Sequence, residues 1–455
     1  LSINYLKFLF MNRVKTSLIF ITLVLISVCL FAQNIKTNDE LTPQVKVQTI
    51  NKISKILKEN YVFPETAIKM ENFIKLQLNN KAYDNINDPM QFAEILTADL
   101  QSISKDKHLR VRFSPQDAEN LLNQRKDGPD PEAEKKFIES MKKENFGFKK
   151  VERLGGNIGY VDFRGFAPEK YAKETVASVM AFLANTDAII FDIRNNGGGS
   201  PEGVRLICSY LFGDKPVHLN DLYFRPTDKT EEFWTLRNVD GKKMPDIPVY
   251  VLTSSFTFSG AEEFAYNLKN LKRAVIVGET TGGGAHPGGM MPINKSFIMF
   301  VPEGRAINPI TKTNWEGTGV TPDVMISSLK SLEKAQILAL QNLAGKTKDD
   351  SRKRSLDWMI ESLQAVIDAP GIDENIMKSY AGIYNDRTIF YENGKLYYQR
   401  KGRQKLQMTP MSENTFMFKD IDYFRIKFIK DSGGNVTELN GLYDDGTTDK
   451  SLRTN

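Results

Sequence analysis

Cysteine is nearly missing from this chain: its 455 residues include two, Cys29 and Cys208. Cys29 lies inside an apolar run near the N-terminus, so loss of that run leaves Cys208 alone and excludes both an internal disulfide and a thiolate zinc cluster. Histidine is almost as scarce, with three residues, which narrows any imidazole chemistry to very few positions. An excess of one charge is lacking too. The 61 basic and 56 acidic residues leave a formal net charge of +5, and no long basic run concentrates it, which argues against a nucleic-acid partner. Neither a repeat of fixed period nor a low-complexity tract interrupts the sequence. The apolar run itself, Leu18 to Ala32, falls short of the roughly 20 residues that span a bilayer as a permanent helix.

That run is preceded by Arg13 and Lys15 and followed by Gln33 and Asn34, the pattern of an export signal cut near Ala32. Residues 1–32 are read as a signal peptide with its start at Met11, leaving a periplasmic or extracellular protein with no stable membrane span. Val28 before Cys29 is bulkier than lipoprotein processing favours, which argues against a lipid anchor.

From Leu41 to about Leu100, apolar residues such as Val45, Ile50, Ile53 and Leu57 recur at helical spacing, giving a helical N-terminal domain over 33–126. Asp127-Gly-Pro-Asp-Pro131 is turn chemistry before a charged helix, so 127–150 reads as a connector. Between 151 and 345, short apolar strands such as Ala188 to Ile193 and Pro248 to Thr253 alternate with helical stretches. Such alternation predicts an α/β core with crossover connections. A linker helix is expected over 346–375. Hairpin turns at Asn393-Gly394, Gly433-Gly434-Asn435 and Asp444-Asp445-Gly446 then predict a small antiparallel β-barrel or β-sandwich over 376–455.

Two stretches carry candidate chemistry. In Val249-Tyr-Val-Leu-Thr-Ser-Ser-Phe-Thr-Phe-Ser259-Gly-Ala-Glu-Glu-Phe, a strand and a short loop deliver Ser259 to the start of a helix. There the N–H of Gly260 is free of helical pairing and the helix dipole favours an oxyanion. The plain alternative is an N-cap serine completing a capping box with Glu262, and the local sequence leaves both open. The second stretch, Ile189-Ile-Phe-Asp192-Ile-Arg194-Asn-Asn-Gly197-Gly198-Gly199, runs an apolar strand into three glycines. No lysine follows at P-loop spacing, and the glycines do not fit a dinucleotide fingerprint. Gly198, with Gly197 in reserve, is the expected second oxyanion donor, against the alternative of a tight turn alone.

In this order, together with Val277-Gly-Glu-Thr-Thr-Gly-Gly-Gly284, these motifs resemble the carboxy-terminal processing peptidases. That group uses a serine–lysine dyad, and the position matching its lysine is Gly284 here. The absence of lysine makes the chain more similar to the branch containing tricorn protease and interphotoreceptor retinoid-binding protein. That likeness implies a serine–histidine–glutamate site on a crotonase-like or ClpP-like α/β core. It assigns the base to His108, in Ser104-Lys-Asp-Lys-His108-Leu-Arg-Val, with Lys107 where tricorn protease has a serine. The orienting acid becomes Glu316, ahead of Gly-Thr-Gly-Val-Thr-Pro-Asp323, and His286 stands in reserve as a base or substrate-loop residue. Between Phe113 and Val151 there is too little chain for an inserted PDZ domain. The resemblance implies a serine peptidase acting on unfolded or C-terminal polypeptide segments, with no cofactor and no metal. A catalytically inactive carrier of an apolar ligand is the alternative on the same scaffold.

Overall fold

The computed structural model describes residues 41–127 and 131–454, so the expected signal peptide and Cys29 lie outside the described residues. Among the described residues no helix is long and apolar enough to cross a membrane.

Helices α1 (Pro43–Asn60), α2 (Pro64–Asn79) and α3 (Pro89–Ser104) each begin with proline, whose missing N–H would have no partner in a first turn. Asp88 caps α3 by accepting from the N–H groups of Met90 and Gln91. Their inward residues, including Ile50, Leu57, Ile74 and Leu96, are fully buried. Lys105 ends α3 in the left-handed region, at φ 58°, and reverses the chain through Asp106, Lys107 and His108 into β1 (Arg110–Phe113). This four-residue strand, too short for its alternation to announce it, pairs antiparallel with Phe297–Pro302 far along the chain, Arg110 opposite Phe300. That pairing brings His108 to the core. Helices α4 (Pro115–Asp127) and α5 (Pro131–Lys143) follow.

The core contains β2 (Phe148–Leu154), β3 (Ile158–Phe163), α6 (Glu169–Leu183), β4 (Ala188–Asp192), α7 (Pro201–Tyr210), β5 (His218–Phe224), β6 (Lys229–Trp234), β7 (Val249–Thr253), α8 (Gly260–Asn270) and β8 (Val275–Gly278). After these come β9 (Gly288–Pro292), β10 (Phe297–Pro302), β11 (Gly304–Ile307) and β12 (Val324–Met325). Six strands form one sheet in the order β12-β8-β7-β4-β3-β2, parallel except for the edge pair β2 and β3. Every residue of β4 and β7 is buried, because helices cover both faces. Phe191 and Val251 pack against α6, α7 and α8 on one side. Ile190 and Leu252 pack on the other against Ala335, Ala339 and Leu340 of α9 (Ser331–Lys346). The glycine loop and Ser259 follow the carboxyl ends of β4 and β7, where sheets of this kind place ligands.

Helix α10 (Asp350–Ile367) packs beside α9, and α11 (Glu374–Tyr380) leads into eight antiparallel strands, β13 (Gly382–Tyr384) through β20 (Thr448–Leu452), paired in chain order. A bridge between Tyr384 and Arg453 brings the two ends together, so the sheet nearly closes into a barrel around Phe416, Ile426, Phe428 and Leu439. Arg425 ties it to α10: the guanidinium lies 3.5 Å from the Trp358 ring centroid, bonds to the Trp358 carbonyl and Ser362 Oγ, and pairs with Glu361.

Candidate active site

Ser259 sits between β7 and α8 at φ 54° and ψ −125°, a strained backbone for a residue with a Cβ, which persists only where its surroundings hold it. Thr257 Oγ1 donates to the Ile193 carbonyl, Ser254 Oγ to that of Arg194, and the N–H of Phe258 to that of Asn196. The loop before the serine is thereby tied to the loop after β4. On α8, Ala261, Phe264, Ala265 and Leu268 are buried, so the helix cannot turn and its first N–H groups have a fixed aim.

The glycine loop hangs on Asn196, whose Nδ2 donates to the Phe163 carbonyl and whose Oδ1 accepts from the N–H of Gly198. Gly198 has φ 107°, and a Cβ there would stand 2.8 Å from Ser259 Cβ and 2.7 Å from the nitrogen of Gly260. Only glycine fits. The N–H expected to serve an oxyanion is, however, already engaged by Asn196. It is Gly197 and Gly199, beside Gly260, that line the cavity next to Ser259.

That cavity, about 350 Å³, is shared by Ser259 and His108. The imidazole stands between the rings of Phe258, at 4.5 Å, and Phe300, at 5.7 Å. Both of its nitrogens are buried without a hydrogen-bond partner. Burial in this apolar slot holds its pKa down at about 4, against the partial opposition of the Asp106 charge. The residue is therefore neutral at ordinary pH. Lys107 is turned elsewhere, its amine 2.5 Å from the Gly282 carbonyl.

Glu316 does not meet His108 in the way the resemblance implies. Its Oε2 accepts from the N–H of Ala285 at 2.5 Å and lies 3.5 Å from Nδ1 of His286. The other oxygen, Oε1, is buried without a partner, and burial raises the carboxyl pKa to about 7 despite the nearby His286. This places Glu316 on the reserve histidine because Trp315 and Gly317 lock its turn onto residues 283–284, through Trp315 Nε1 to the Gly284 carbonyl and the Gly317 N–H to that of Gly283. His286 itself donates from Nδ1 to Asp106 Oδ2 at 2.7 Å. Asp106 was not singled out by sequence. The available signal was its position two residues before His108, where its Oδ1 accepts the N–H of His108 at 3.0 Å. Asp106, His286 and Glu316 each bring a ligand atom within 4.8 Å of the others, the spacing a cation needs.

Two consecutive acids are buried in the first turn of α8. Glu262 accepts from the N–H groups of Ser259, Gly283 and Gly284 and from Thr281 Oγ1. It does form the expected link to the Ser259 backbone, and it also clamps the 281–284 loop to α8. Glu263 is 4% exposed, and burial raises its pKa to about 8. Between about pH 4.5 and 8 the folded chain thus binds a proton that the unfolded chain has released. The sign follows: stability falls with rising pH in that window, by up to about 1.4 kcal/mol per unit. Melting curves from pH 5 to 9 are expected to show Glu263→Gln gaining on the wild type as pH rises; parallel curves would remove this assignment.

The model described as Peptidase family S41 matches residues 157–326, and that described as the N-terminal domain of Peptidase_S41 in eukaryotic IRBP matches residues 40–145. Carboxyl-terminal-processing peptidase 2, chloroplastic, of Arabidopsis thaliana is 28% identical over 171 residues, 36% of this chain and 31% of that protein. The carboxyl-terminal-processing protease of Synechocystis sp. is 28% identical over 131 residues, 29% of each chain. The chain thus spans less than a third of the length of these relatives. Among solved structures, the photosystem II D1 C-terminal processing protease aligns with a TM-score of 0.39 at 15% identity, covering 62% of this chain and 93% of that one. Tricorn protease aligns at 0.38 and 14%, covering 70% and 37%. Residues 157–326 are accordingly a Peptidase family S41 domain, preceded over residues 40–145 by an N-terminal domain of the type described in eukaryotic IRBP.

Proposed function

We propose that the protein is an exported serine peptidase that cleaves unfolded or C-terminal polypeptide segments, with Ser259 as nucleophile and His108 as base. The observation that carries this reading is the shared cavity: a serine held in a strained turn at the head of α8 and a neutral imidazole open onto the same space. Ser259 Oγ attacks the scissile carbonyl as His108 takes its proton, and the proton passes to the leaving amine when the C–N bond breaks. The carbonyl oxygen becomes an oxyanion beside the N–H of Gly260, with the flanking glycines 197 and 199 supplying the second donor. Water then repeats the sequence on the acyl-enzyme. The apolar run after Arg13 and Lys15 supports export, and the same reading treats 127–150 and 346–375 as the joints between three units.

A fluorophosphonate probe tests the chemistry directly. The mature wild-type chain is expected to label at one site, to cleave casein or another unfolded polypeptide, and to lose both properties in Ser259→Ala. No labelling and no cleavage by the wild type, with an apolar molecule co-purifying, would transfer the protein to the carrier alternative.

A further inference from the structure

A base that accepts a proton in an apolar slot needs a partner for the charge it acquires. The imidazole of His108, between Phe258 and Phe300, has no such partner in hydrogen-bond reach. Glu316 is engaged with Ala285 and His286. The nearest carboxylate oxygen is Asp106 Oδ1, 3.9 Å from His108 Nδ1, which is too long for a hydrogen bond but only about 1 Å beyond one.

Asp106 is also fixed as an orienting group has to be. Its side chain is 1% exposed. Oδ1 holds the backbone N–H of His108 at 3.0 Å, which keeps the carboxylate beside the residue that carries the imidazole. Oδ2 accepts from His286 Nδ1 at 2.7 Å and from the Tyr61 hydroxyl at 3.3 Å. His286 is steadied in turn by Glu316 and by an edge contact with Phe63 at 5.3 Å. Residue 284 has to be glycine for the ring to keep this place: a Cβ there would stand 2.7 Å from His108 Cε1. The charged and titratable groups facing His108 are Asp106 and Arg110 on its own segment, His286 from the loop before β9, and Glu263 of α8, which lines the same cavity beside Ser259. Tyr61, at the end of α1, and Glu316 face it only through Asp106 and His286.

We propose that Asp106, rather than Glu316, is the positioning residue that accepts the Nδ1–H of His108 once the imidazole is protonated, and that His286 and Glu316 act one step further out by holding Asp106. The proton balance is simple. The Ser259 Oγ–H proton moves to His108 Nε2 as the Oγ–C bond forms, and later to the leaving nitrogen. Nδ1 keeps its hydrogen throughout, and Asp106 gains none. The proposal rests on the peptidase reading above and replaces the orienting acid that the resemblance implies.

The test uses the full mature chain and a fluorescent casein substrate, with kcat/KM followed against pH in wild type, Asp106→Asn and Glu316→Gln. Asp106→Asn keeps the shape of the residue but reverses its hydrogen-bonding toward Nδ1, a change worth about 10⁴ in kcat where such an acid orients a histidine. A fall of about 10³-fold or more in kcat is expected, with KM little changed and the acid limb of the profile moved to lower pH. Glu316→Gln is expected to lose about tenfold and to leave that limb in place. The opposite ranking, or an Asp106→Asn profile that overlays the wild type, overturns the proposal while labelling at Ser259 still upholds the peptidase. Wild-type protein that neither labels nor cleaves removes both. Should Asp106→Asn not fold, the phosphonylated wild type decides: a downfield Nδ1–H proton resonance is expected for His108, and its absence counts against Asp106.

Discussion

His108→Ala is expected to lower kcat/KM on polypeptide substrates by about 10⁴-fold, and the Ser259→Ala/His108→Ala double variant to be no worse than Ser259→Ala alone, because nucleophile and base act as a unit. Neither of the other two imidazoles lines the serine's cavity: His286 is turned to Asp106, and His218 pairs with Asp221 and stacks on Trp234. The same geometry sets the pH profile. A base works in its neutral form, and burial holds His108 at about 4, so activity should persist as pH falls past 6.5 and decline only near 4. The acid limb of kcat/KM reports the free enzyme, and it should be measured where circular dichroism shows the fold intact. A limb near 6.5 would mean that the imidazole is solvated in solution. Retention of more than a tenth of the activity in His108→Ala would remove it as the base.

The difference between what sequence revealed and what it did not follows from which contacts are local. The place of Ser259 at the head of a helix was legible because strand, loop and helix are consecutive, and the apolar face of α8 could be counted. The sheet core and the late β-rich unit were legible through periodicity and turn residues in the same way. The partner of Glu316 was not, since it depends on how the turn at 314–319 docks onto 281–285, residues some thirty positions away. Asp106 read as one more charge in a Lys-Asp-Lys turn; only the pairing of β1 with β10 buries it against His286 and Tyr61. Gly284 is the instructive case. Its missing lysine was visible at once, but not the reason for it. A side chain starting there would run into the Phe258 ring at 2.2 Å and into His108 Cε1 at 2.7 Å. Lysine at 284 and histidine at 108 compete for one space beside the serine, so a chain that keeps the histidine needs glycine at that position.

Glu262→Ala should cost about 3–5 kcal/mol of stability, the largest structural penalty of any single change near the site. The residue is fully buried, and its two oxygens take up four donors: the N–H groups of Ser259 at 2.9 Å, Gly283 at 2.7 Å and Gly284 at 2.8 Å, and Thr281 Oγ1 at 2.5 Å. Truncation leaves three backbone N–H groups without partners, each worth about 1–3 kcal/mol when buried unsatisfied, and water entering the hole recovers only part. Against a typical total of about 5–15 kcal/mol, that is enough to lower the melting temperature by many degrees. Activity should fall further than stability alone explains, because the bond to the Ser259 N–H helps hold φ at 54°. Glu262→Gln separates the two effects. It fills the same volume but presents an amide N–H₂ to backbone donors, so it should lose serine labelling while melting well above the alanine variant. Equal melting temperatures for wild type and Glu262→Ala would show that the 281–284 loop and the head of α8 are held by something other than this carboxylate.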